Sequence, residues 1–167
     1  MARVKAGTRF GDCSRPAAWC WLYPATYAIH ILEEWCGGAG FTAWLTNVAG
    51  VELAAEKFLV WNALALLLMA ASVPFALRFR HLRWLPLAYG VAFALNALSH
   101  LAASLYTVTY SPGLASGLLL WLPLGAWTLL YLKPTLTRRG RRAGLIVGVL
   151  MHCAVLLLTL LGERLGI

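Results

Sequence analysis

The sequence predicts an all-α protein: a polytopic bundle of about five transmembrane helices, N-terminus inside and C-terminus outside. Three observations predict it. Apolar residues of the AVILMFWYC set make up 61% of 167 residues and charged residues only 12%, against about 45–50% and about 25% in soluble domains. A chain of this length could not bury so much apolar surface in a water-soluble core. The apolar residues fall into five runs, and the basic residues fall between them.

The runs are 17–36, 51–76, 84–106, 113–132 and 143–162. Each is near or above the roughly 20 residues that cross about 30 Å of hydrocarbon. Residues 1–16 form a basic inner tail, 17–162 a single membrane domain and 163–167 a short outer tail. The first run is not a cleaved leader, since it lacks a small-residue cleavage site and carries His30, Glu33 and Glu34. Gly37-Gly38-Ala39-Gly40 ends it, and Phe41 to Gly50 form a short interfacial or re-entrant segment. Pro74 closes the second run, Pro86 opens the third, and Ser111-Pro112-Gly113 turns into the fourth. Pro24 and Pro123 lie inside runs and are expected to kink them. Trp19, Trp21, Trp35, Trp44, Trp84 and Trp121 lie near run ends, as interfacial anchors do.

Net charge is +8, and 12 of the 14 Lys/Arg sit in three clusters. These are Arg3, Lys5, Arg9 and Arg15; Arg78, Arg80 and Arg83; and Lys133, Arg138, Arg139, Arg141 and Arg142. Segments 37–50 and 107–112 carry no Lys or Arg. That alternation is the positive-inside pattern, with no base-reading module, so the expected partners are the bilayer and its anionic lipids rather than nucleic acid. An oligomer is compatible with the sequence. The four cysteines contain no C-x-x-C, and Cys13, Cys20, Cys36 and Cys153 are expected unpaired.

Ionisable groups inside spans are costly and mark sites. His30, Glu33 and Glu34 fall in the outer half of the first span, Glu52 and Glu56 in the first turns of the second, and His100 in the outer half of the third. The topology thus brings six ionisable side chains to one depth. His30, Glu33 and Glu34 are spaced i, i+3, i+4 and share a face, with Tyr27 one turn below. Glu52 and Glu56, and Asn96 and His100, are i, i+4 pairs. Lys57 is the nearby cation, one residue off the Glu56 stripe. Four carboxylates in a low dielectric need a positive occupant or must stay partly protonated.

A divalent metal, zinc before iron, is therefore expected. By the geometry of H-x-x-E-H zinc sites, His30, Glu34, His100 and Glu56 would be the metal ligands and Glu33 the general base acting on a metal-activated water. Glu52, Asn96, Tyr27 and His152 are supporting residues or alternative ligands. Two His and four Glu also make a di-iron inventory, although the order is His-x-x-Glu and occurs once. His81 lies in a basic inner loop and is expected to be solvated, and Asn62 to bond between helices.

His30-Ile31-Leu32-Glu33-Glu34, then Asn96-Ala97-Leu98-Ser99-His100, then Tyr110-Ser111-Pro112-Gly113 resemble, in order, the motifs of the HXXEE family of small bacterial membrane proteins. The resemblance covers roughly residues 25–125. It implies an integral protein of the bacterial cytoplasmic membrane with a site at these motifs, and no particular reaction. The expected function is a metal-dependent, hydrolase-like enzyme acting on a lipid or other apolar substrate near the outer leaflet. The competing readings are a di-iron oxidoreductase, a metal-free acid–base isomerase or cyclase of isoprenoids or sterols, and a transporter or haem-binding protein using His100 and His152.

Overall fold

The computed structural model describes residues 18–161; the expected tails, Cys13 and the first basic cluster lie outside them. The described chain is all helix, with no strand among these residues. A 3-10 turn, Ala18–Trp21, leads into α1 (Leu22–Cys36), followed by α2 (Phe41–Ala49), α3 (Ala55–Arg78) and α4 (Leu85–Thr107). A composite helix α5 (Leu114–Thr135) and then α6 (Arg138–Leu161) complete the bundle.

Four helices are long and apolar enough to cross a membrane: α3, α4 with the turn before it, α5 and α6. α1 has 15 residues, about 22 Å at 1.5 Å per residue, so it is shorter than the expected first span. Pro24 lies in its first turn, where a missing N–H breaks no helical bond, so it does not kink the helix. The segment from Phe41 is a helix bounded by Gly40 (φ +84°) and Gly50 (φ +63°). α3 runs through Pro74 to Arg78 rather than closing at it. It also begins at Ala55, four residues later than the apolar run suggests.

α4 is the centre of the bundle. Half of its most apolar window is buried, against 17% for α3 and for α6. An aromatic column fills the core beside it: Trp121 stacks on Phe93 at 3.9 Å between ring centres, and Tyr27 lies parallel to Trp121 at 5.6 Å. Tyr23 Oη and Thr128 Oγ1 share a buried hydrogen bond of 2.5 Å. α5 contains two π-helical stretches, Gly117–Trp121 and Thr128–Leu132. The first lies directly before Pro123, whose ring would meet the preceding turn of a regular helix. Trp121, expected as an interfacial anchor, is instead buried in the core.

α6 reaches α4 closely because Gly148 has no side chain. A Cβ there would lie 2.6 Å from both the Ala88 carbonyl oxygen and Val91 Cβ. Gly148→Leu is therefore expected to push α6 off α4 and destabilise the bundle by about 1–3 kcal/mol or more, as overpacking does. Thermal unfolding in detergent checks this. Val149→Leu, at an exposed neighbour, is expected to leave the midpoint unchanged.

Two ends result. The end of α3, the turn Arg80–Leu82 and the start of α6 carry Arg78, Arg80, Arg83, Arg138, Arg139, Arg141 and Arg142. The opposite end, where α1 and α4 finish and α5 begins, carries His30, His100, Glu33 and Glu34.

Candidate metal centre

α1 places His30 and Glu34 one turn apart on its buried face, and the last turns of α4 place His100 against them. All three are buried. Nε2 of His30 lies 3.5 Å and Nε2 of His100 3.3 Å from the same oxygen, Glu34 Oε1. Each residue offers one ligand atom, and the three atoms lie within 4.8 Å of one another.

The far side of each imidazole is held by a serine. His30 Nδ1 is 2.8 Å from Ser116 Oγ, and His100 Nδ1 is 2.9 Å from Ser111 Oγ. With each Nδ1–H donating to its serine, both Nε2 lone pairs face the Glu34 carboxylate, acceptors against an acceptor, an arrangement that a cation between them would satisfy. An outer hydrogen bond of this kind fixes tautomer and ring direction at metal-binding histidines. Asn96 Nδ2 donates to His30 Nε2 over 3.3 Å, which agrees with that tautomer. His30 also stacks on Trp121 at 3.7 Å, and Phe41 meets the His100 ring edge-on at 5.9 Å. Gly113 seats the loop against both rings. Its φ is +97°, and a Cβ would stand 2.8 Å from Cε1 of each histidine.

Glu33 does not occupy the position of a general base. It is one residue, or about 100°, around α1 from Glu34, and so faces the start of α5. Its Oε1 accepts from Tyr110 Oη, Gly113 N (3.2 Å) and Ala115 N (2.9 Å), and its Oε2 from Ser116 N (2.6 Å). A carboxylate is well suited to the free N–H groups of a helix start. The Tyr110 phenol is pushed up to about 12, by burial first and the Glu33 carboxylate next, so it remains a donor. Glu33 ties down the loop that carries Ser111, Gly113 and Ser116.

Glu56 does not join the histidines. It is exposed, as is Glu52, and neither belongs to the cluster. Residues 51–54 are not helical, so the expected i, i+4 stripe does not exist. Glu56 stands two residues, about 200°, from the buried Phe58 and so points away from the core. Tyr27 donates to Asn62 Oδ1 at 2.7 Å and acts as packing beside Trp121. His152 is buried, with Nε2 3.1 Å from Oγ of Ser99, the neighbour of His100. Sequence reasoning missed the roles of Ser111, Ser116 and Trp121. The first lay within the Tyr-x-Pro-Gly motif; nothing local marked the other two.

Two histidines and one carboxylate are the ligand set of catalytic zinc sites that keep a position open, and also of mononuclear iron(II) sites. One carboxylate among the described cluster does not supply the donors of a two-iron centre. The three residues line a largely apolar cavity of about 600 Å3, bounded by α2, α3, α4 and α6.

Fold and centre together define a helical, membrane-type protein with a buried His/Glu/His cluster. The chain belongs to the HXXEE family: a family model described as "Protein of unknown function with HXXEE motif" matches residues 21–128. Neither the curated proteins nor the solved structures contain a match. The three motifs lie within or against this one centre, with His30 and Glu34 beside His100, Gly113 against both imidazoles and Tyr110 bonded to Glu33.

Proposed function

We propose that this protein is a membrane-embedded, zinc-dependent enzyme with hydrolase-like activity on a lipid or other apolar substrate. The observation that carries this is the convergence of two serine-oriented imidazole Nε2 atoms on one buried carboxylate oxygen, at the wall of an apolar cavity. A buried carboxylate is costly unless paired, and a divalent cation between these atoms pairs it directly. His30, Glu34 and His100 would hold the ion, which would supply Lewis acidity for attack of water on a carbonyl carbon. Ester hydrolysis would place the water's hydroxide on that carbon and its proton on the leaving oxygen as the carbon–oxygen bond breaks, giving an acid and an alcohol. The serines keep the donors aimed, Asn96 would give up its bond to His30 Nε2 to the ion, and the apolar walls exclude bulk water.

With α1 as a fifth crossing, the positive-inside rule sets the N-terminus and basic clusters inside and the centre toward the outer leaflet. The basic end would then meet anionic lipid headgroups, and the bacterial cytoplasmic membrane fits that arrangement. A second reading draws on the stacked Trp121 and Phe93 beside His30. Aromatic faces stabilise cations, as an acid–base isomerase of isoprenoids would require. A bis-histidine haem is not favoured, since His100 Nε2 faces the Glu34 carboxylate and His152 Nε2 faces Ser99 rather than a common iron position.

Elemental analysis of protein purified in detergent and loaded with zinc tests the proposal. Wild type is expected to retain about one zinc per chain, and Glu34→Ala and His100→Ala less than about a tenth of that, since each loses one of three donors. Glu56→Ala is expected to match wild type. Wild type without zinc, or the first two variants with full zinc, would overturn the metal reading. Iron in place of zinc would redirect it to oxidation.

A further inference from the structure

His30, Glu34 and His100 meet partway along the cavity, not at one end of it. On α4 the lining starts at Tyr89, passes Asn96 and His100 beside the cluster, and ends at Thr107. Tyr89 lies seven residues before Asn96, and Thr107 seven after His100, so the wall extends about 10 Å to either side of the centre at about 1.5 Å per residue. α3 lines both sides as well. Its Met69 packs in one core cluster with Tyr23, Tyr89 and Phe93, its Phe58 in another with Leu45 and Leu53, and both face the cavity.

Polar side chains away from the centre are engaged within the protein or stand at the rim. Tyr27 donates to Asn62 and Asn62 to the Phe58 carbonyl, Tyr89 shares a hydrogen bond with Ser72, and Thr107 donates to the Ala103 carbonyl. Tyr106 and Thr159 lie where α4 and α6 end. The partnerless Nδ1 of His152 and Nε1 of Trp121 are fully buried, so neither is offered to a ligand. Polarity open to the cavity therefore gathers at His30, Glu34, Asn96 and His100, with apolar side chains to both sides. Leu68 of α3 and Val155 and Leu156 of α6 line the cavity and are exposed. α3 and α6 do not pack on each other as α4 and α6 do, so an apolar molecule can enter sideways between them.

We infer that the substrate is an ester whose reacting group is internal, with an apolar arm on each side of it. This names the substrate class of the proposed function and rests on that reading. An extended chain gains about 1.2 Å per bond, so 10 Å of wall covers an arm of about eight carbons. Volume gives the same size. A methylene is close in size to a water molecule, which takes about 30 Å3, so about 600 Å3 houses about twenty such groups, which is two of these arms and an ester between them. A molecule with its polar group at one end would fill one arm and leave the walls of the other without contacts.

The test compares two isomeric ketones, hexadecan-8-one and hexadecan-2-one, which differ only in where the carbonyl stands and cannot be hydrolysed. Zinc-loaded, full-length protein in detergent is photolabelled with a hexadecan-8-one probe carrying a diazirine at one chain end. Hexadecan-8-one is expected to compete about tenfold better than hexadecan-2-one, since only it contacts both arms. Ala92 and Ala103 line the two arms, one on each side of the centre. Ala92→Phe and Ala103→Phe are each expected to weaken hexadecan-8-one about tenfold by overfilling one arm, while hexadecan-2-one, which can place its methyl there, changes far less. If one variant does not fold, the other carries the comparison. Equal or stronger competition by hexadecan-2-one in wild type, or an unchanged preference in the folded variants, would overturn the inference. Zinc measured on the same samples separates the failures: absent zinc in wild type strikes the metal reading, and full zinc without a preference strikes the internal ester alone.

Discussion

Glu33→Ala is expected to lower zinc affinity tenfold to a hundredfold, although Glu33 lies outside the cluster. The effect follows from the loop. Removing the carboxylate leaves Tyr110 Oη and the N–H groups of Gly113, Ala115 and Ser116 without their acceptor. Hydrogen bonds to a charged group are each worth about 1.5–3 kcal/mol before solvent exposure is discounted. Once the loop loosens, Ser111 and Ser116 no longer aim the two imidazoles, and loss of such outer partners typically costs this much in metal affinity. Glu33→Gln is expected to fail nearly as badly, because its amide nitrogen turns a donor toward donors. Competition with a chromophoric chelator measures the affinity. A general base would behave differently: Glu33→Gln would then retain zinc at wild-type affinity and lose only turnover. That result would return Glu33 to the reaction and remove it from the loop.

Gly113→Ala is expected to reduce zinc binding by about a hundredfold or more, with the helical content retained. Two costs combine here. A side chain at φ +97° is strained by roughly 1–2 kcal/mol, and its Cβ would stand 2.8 Å from a ring carbon of each histidine. The rings or the loop must move, and either movement separates Nε2 from Glu34. Gly50→Ala isolates the second cost. Gly50 has a similar left-handed φ of +63°, but an added Cβ would meet nothing within 4 Å. It is expected to retain wild-type zinc affinity, and equal loss in both variants would mean that strain alone, not the ring contact, explains Gly113.

Much of the centre was legible along the chain. His30 and Glu34 are one turn apart in an apolar run, and alternation of basic and non-basic loops puts His100 at the same end. Those readings use only helix pitch and charge distribution. The i, i+4 spacing of Glu52 and Glu56 failed because it carries meaning only if both residues are helical, and α3 starts at Ala55. The choice between Glu33 and Glu34 depends on the rotation of α1 about its own axis. That rotation is set by the packing of Tyr23, Tyr27 and His30 against Phe93 and Trp121, partners far away in sequence.

By itself, then, the sequence determined a helical membrane-type bundle, its motifs and the end of the bundle at which they gather. Hydropathy, helical period and charge are local properties that survive without knowledge of neighbours. Tertiary structure alone decided that one carboxylate rather than four stands with the histidines, that Glu33 anchors a loop, and that Ser111 and Ser116 orient the rings. These depend on helix rotation, on where a helix begins and on a loop folding back over eighty residues of chain to Glu33. Such relations exist only once the side chains of different helices compete for the same space.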